Sequence, residues 1–194
     1  DNKDSKLKEK LKQALTSTFK VISDDLKIED KLEKSKASNK FDFFELDNLN
    51  NRGDFIKARA ESDSSALKKK FSNENIYKKN LPSNSSCRSL YSIAERIRCE
   101  SLGGQMLKGI QKNFTENYNQ IINVKKKDQL KTKEDVQVTE AFELYMLNKF
   151  HNIKLNSIAT EILNYWKNDF DKSIEKHIKF LKDNLENQDN FSSK

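Results

Sequence analysis

The sequence predicts an all-α or mainly α fold, a bundle-like or orthogonal packing of several helices. Three observations lead there. Apolar residues recur at three- and four-residue steps along most of the chain, the spacing that lines up one face of a helix. Hydrophobic and charged residues each make up 35% of the 194 positions, so a densely solvated surface surrounds a core large enough for one modest domain. The regular spacing argues against global disorder at this high charge content. Finally, three of the four glycines, Gly103, Gly104 and Gly109, fall inside a single stretch that otherwise reads as helix.

The first helix is expected over about 5–25, where Leu7, Leu11, Leu15, Phe19 and Ile22 share a stripe. The pattern then fails through a polar run, and Phe41, Phe43 and Phe44 mark a short extended segment near 41–46. Asn51-Arg52-Gly53-Asp54 reads as a turn whose side chains cap a second helix over 54–72. Asp63 lies within that helix's apolar stripe and needs a cationic partner, either Arg59 one turn back or a base from the next helix. Pro82 lies in the connector that separates this helix from the next, and Ser85 or Ser86 can cap a third helix over 86–122. That helix would be about 50 Å long, with a kink expected at the glycine pair. Two more follow, over 136–150 and 155–186, the last as one helix or two nearly collinear ones. The expected domain is therefore 1–186, and 187–194 is read as a polar, frayed tail.

Each helical glycine costs roughly 1 kcal/mol relative to alanine. Three in one helix point to a segment packed close against the backbone there. The crowded charges just upstream, Glu95, Arg96, Arg98 and Glu100, can set its register.

The net charge of +7 and pI of about 9.2 make an acidic partner plausible. Lysine is spread along the whole chain, which favours a solvated surface over a nucleic-acid stripe, and no nucleic-acid motif is present. No apolar run reaches the roughly 20 residues of a membrane span, and the N-terminus has no signal-peptide core. Its lack of an initiator methionine suggests a processed or cut chain. Cys87 and Cys99, about 18 Å apart if on one helix, cannot pair, and reduced thiols fit a cytoplasmic location. There is no Walker A loop, dinucleotide fingerprint, zinc spacing or nucleophile–base pair. His151 is expected at a helix C-terminus and His177 beside an apolar stripe. The residues alone thus point to a helical interaction domain with no catalytic, cofactor or metal site.

Between Glu95 and Phe114 the chain resembles the CobT subunit of aerobic cobaltochelatase, whose motif approximates E-x-A-R-x-E-x-L-G-x-x-x-M-x-G-[VI]-x-x-N-[LF]. Glu95, Arg98, Glu100, Leu102, Gly103, Gly109, Ile110, Asn113 and Phe114 match it without a gap. Arg59 to Leu67 is similar to the family's R-[GA]-x-A-D-x-x-A-L, and Arg88 and Tyr91 fall on its arginine and aromatic positions. The opening helix and the Trp166 segment extend the likeness more weakly. Gln105 and Met106 replace two arginines, and Leu107 replaces the methionine, so roles that depend on those residues do not carry over.

The resemblance implies a subunit that couples an AAA+ ATPase (CobS-like) to a large chelatase subunit during cobalt insertion into a corrinoid. ATP, magnesium and cobalt then belong to the whole complex. It also implies a linker and a von Willebrand A-type domain beyond residue 194. Arg59, Asp63, Arg88, Glu95, Arg98, Glu100, Gly103, Gly104 and Gly109 are the candidate contact residues. An internal salt-bridge network of Arg59, Asp63, Arg88, Glu95 and Arg98 is favoured over a partner-facing site, and self-assembly stays open. The competing functions are an adaptor for a MoxR-like AAA+ metal-loading or chaperone system, a basic nucleic-acid module and a plain oligomerisation domain.

Overall fold

The computed structural model describes residues 2–24, 49, 51–126 and 132–194. These residues form helices and no strand. The segment expected to be extended at 41–46 lies outside them. The chain divides into two compact units, Asp1–Lys70 and Phe71–Lys194.

The first unit holds α1 (Asn2–Ser23) and all but the last residue of α2 (Arg52–Phe71). In α1 the apolar stripe is buried at Leu15, Phe19 and Ile22, whereas Leu7 is exposed. An ion pair joins Asp24 to Lys70. At the start of α2, Asn51 and Asp54 cap each other's backbone, each side chain accepting the other's amide at 3.1 Å. This reciprocal box satisfies two amides, and the helix begins at Arg52, so the expected turn is already helical.

The second unit contains α3 (Glu74–Lys79), α4 (Ser85–Met106), α5 (Lys108–Asn123), α6 (Val138–His151), α7 (Ser157–Phe170), α8 (Lys176–Asp183) and α9 (Gln188–Ser192). A 3-10 turn, Lys133–Asp135, precedes α6, and a π-helical turn, Asp171–Glu175, joins α7 to α8. Helix α4 packs against α5 and α6, α6 against α7, and α9 against α3 and α8.

Asparagine does much of the capping. Asn73, Asn84, Asn156 and Asn187 each accept backbone amides in the first turns of α3, α4, α7 and α9. Such caps are worth about 1 kcal/mol each. Asn84, rather than Ser85 or Ser86, caps α4. At the other end of α6, Asn152 takes the left-handed conformation (φ 54°) and returns its amide to the Leu147 carbonyl.

Two expectations need correction. The helix expected over 86–122 is two helices, broken at Leu107 (φ −139°, ψ 115°) rather than kinked at Gly103 and Gly104. Both glycines keep helical geometry, and packing of α5 back against α4 imposes the break three residues later. The expected polar tail is also ordered in part. Phe191 packs with Leu102, Leu181 and Leu185, next to Phe71, Ala94 and Phe150, and Gln188 is buried. Burying one phenylalanine stabilises by roughly 1.5–3 kcal/mol, enough to hold a single turn in place. Among the described residues no helix is long and apolar enough to cross a membrane.

Candidate functional site

Helix α4 carries the charged motif, and helical spacing splits it into two faces. Glu95, Arg98, Cys99 and Leu102 follow the i, i+3, i+4, i+7 pattern on one side, whereas Arg96 and Glu100 fall on another. Each face builds a separate polar network.

On the first face Arg98 clamps Glu95 bidentately, with Nε donating to Oε2 at 2.8 Å and Nη2 to Oε1 at 2.9 Å. Both side chains are about 1% exposed. The same guanidinium donates to two main-chain carbonyls, Leu185 at 2.6 Å and Phe71 at 2.8 Å. Phe71 is the last residue of α2 and Leu185 follows α8, so Arg98 satisfies carbonyls at helix ends, where the helix itself supplies no amide. Burial is the largest single influence and works against the charged guanidinium, but the Glu95 hydrogen bond and the neighbouring negative groups together outweigh it, and the Arg98 pKa rises.

Cys99 sits against this pair, its Sγ 3.8 Å from both Glu95 Oε1 and Arg98 Nη2. Burial first, then the Glu95 carboxylate, push its thiol up to about 12. A protonated, enclosed thiol is a poor nucleophile. Cys87, by contrast, is exposed.

On the second face Glu100, 2% exposed, accepts the Tyr118 hydroxyl at 2.7 Å. His151 Nε2 lies 3.3 Å from the same carboxylate and Arg96 Nε 3.9 Å from it. Arg96 also reaches Glu143 at 3.0 Å. His151 ends α6 as expected, with its ring near Phe114 and Tyr118. Burial, then the adjoining Glu100 charge, raise the Tyr118 phenol above its ordinary range. This network borders a cleft of about 280 Å³ between α4, α5 and α6, lined in part by Ile93, Ile121 and Leu144. Lys125 and Glu140, paired at 2.5 Å, stand on its wall.

Among the remaining expected contact residues, Gly103 is buried and Gly104 partly buried. A Cβ at 104 would collide with the Gln111 carboxamide of α5, so the close approach at that glycine comes from the next helix of the same chain. Gly109 has nothing within 4 Å of its Cβ position. Asp63 is buried in α2, whereas Arg59 is exposed. Arg88 is exposed too and donates from Nε to the Pro82 carbonyl at 2.8 Å. The structure thus joins Glu95 to Arg98 and leaves Arg88 outside that pair.

Tyr118, Glu143 and His151 complete the second network, and sequence reasoning did not connect them to Glu100. Only their positions on the inner stripes of α5 and α6 could have hinted at it. Among the described residues no three His, Cys, Asp or Glu side chains gather as metal ligands.

A family model described as cobalamin biosynthesis protein CobT matches residues 5–194. No curated protein and no solved structure matches the chain. The motif stretch 95–114, in α4 and the start of α5, is also the stretch that organises both buried networks. With nearly its whole length matched, this chain belongs to the CobT family of cobalamin biosynthesis proteins.

Proposed function

We propose that this chain is a non-catalytic assembly and coupling domain of a cobaltochelatase-type subunit. It works with an AAA+ ATPase and a large chelatase subunit in ATP-driven insertion of cobalt, the substrate metal, into a corrinoid. The family match over residues 5–194 carries the reading. The geometry of the motif supports it. Glu95, Arg98 and Glu100 are all buried; Arg98 holds Glu95 and two carbonyls from other segments, and Glu100 accepts from Tyr118 of the next helix, which suits a scaffold that holds its shape under load.

The test is binding followed by reconstitution. The chain and a purified CobS-type AAA+ subunit are mixed with ATP and magnesium and followed by sedimentation. A stable complex is expected, and two independently sedimenting species would contradict the reading. Full-length subunits with the large chelatase subunit are then assayed for cobalt insertion into hydrogenobyrinic acid diamide. A complex that forms but inserts no cobalt would instead support an adaptor of a MoxR-like system.

A further inference from the structure

Few large apolar side chains remain exposed among the described residues, and two of them are neighbours in the chain. Met106 and Leu107, 43% and 47% exposed, form the corner between α4 and α5. The corner is firmly built. The Leu107 amide donates to the Gly103 carbonyl at 2.9 Å, and the Leu107 carbonyl accepts the Ile110 and Gln111 amides at 3.1 and 3.3 Å. Leu102 and Ile110, on either side, are buried. Packing within the chain therefore fixes the corner's shape and leaves its tip uncovered.

The tip is also electropositive. From Ser101 to Thr115 the sequence has no carboxylate, while Lys108 and Lys112 are exposed. Leu107 supplies no side-chain cap to α5, so the first turn adds its partial positive charge. At Gly109 the space where a Cβ would stand is open, and another backbone can approach closely.

We propose that this corner is the surface on which an acidic protein partner docks. Its apolar side chains cover Met106 and Leu107, and its carboxylates face Lys108 and Lys112. The proposal rests on the coupling reading above and names the face that meets the ATPase. A second copy meeting it corner to corner is the wrong occupant, because that brings together two carboxylate-free corners on molecules of net charge +7.

The test is titration calorimetry of the full chain against the purified CobS-type AAA+ subunit, at low and moderate salt. The variants are Met106→Glu with Leu107→Glu, Lys108→Glu with Lys112→Glu, and a control, Val124→Glu, at a site 70% exposed near the far end of α5. All positions are exposed, so melting temperatures are expected to match the parent chain. Both corner variants are expected to weaken binding by about tenfold or more, the change typical of an interface anchor. The lysine reversal should also flatten the salt dependence, and the control should bind as the parent does.

Parent-like binding by both corner variants would overturn the corner and leave the coupling reading standing. No binding by the parent chain would remove the coupling reading and this surface's role with it. Self-association of the chain that the corner variants abolish would replace the acidic partner with a second copy.

Discussion

The two faces of α4 carry charges of the same kinds and put them to different uses. On the Arg98 face every charge is enclosed. One guanidinium meets one carboxylate and two carbonyls, and both charged side chains are about 1% exposed. On the Glu100 face the carboxylate is equally buried, but its cation, Arg96, is 38% exposed and shared with Glu143 at the rim of a cleft. A buried ion pair is costly to form and far costlier to break, because removing one partner strands the other in a medium that solvates it poorly. On the second face Arg96 still has Glu143 at 3.0 Å if Glu100 loses its charge, so no cation is stranded. The first face is therefore a fastening of the fold, and the second is a tunable contact between three helices.

The largest expected effect breaks the first face. Arg98→Leu should strand Glu95 and uncover two carbonyls, lowering unfolding stability in urea by about 3–5 kcal/mol. Glu100→Gln should cost less, about 1–2 kcal/mol by the same measurement, because the amide still accepts the Tyr118 hydroxyl and Arg96 keeps Glu143.

Cys99 gives a pH-dependent test of how closed the first face is. Its thiol titrates near 12 in the folded chain, against an ordinary value of 9.0. Between those values the unfolded chain has lost the proton and the folded chain keeps it, so stability falls as pH rises. The slope approaches about 1.4 kcal/mol per pH unit for this group. Cys99→Ala should flatten the alkaline limb of a stability profile measured above about pH 9. An unchanged limb would mean that the site is open to water.

The smallest effect separates the glycines. Gly109→Ala meets open space and should stabilise α5 by about 0.5–1 kcal/mol, read as a raised melting temperature. Gly104→Ala must displace the Gln111 carboxamide and should gain less.

The all-α fold was legible because its main stripes, such as Leu15, Phe19 and Ile22, are buried as their spacing requires. The start of α2 was legible from Asn51 and Asp54. The break at Leu107 was not, because leucine is a good helix former and only the return of α5 onto α4 forces an extended residue there. Phe191 was hidden as a lone apolar residue in a polar run, where periodicity has nothing to repeat. The Glu95–Arg98 pair could be read from its i, i+3 spacing. Its carbonyl partners at Phe71 and Leu185, and the Tyr118–Glu100–His151 contacts, depend on chain segments 18 to 87 residues away and leave no local pattern.

The most direct measurement is a double-mutant cycle in urea on Glu95→Gln and Arg98→Leu, with binding to the AAA+ subunit measured for each variant that stays folded. A fastening predicts coupling of about 2 kcal/mol or more between the two positions, with affinity retained wherever the fold is. Coupling near zero, together with parent-like stability and lost affinity, would mean that the pair faces a partner instead.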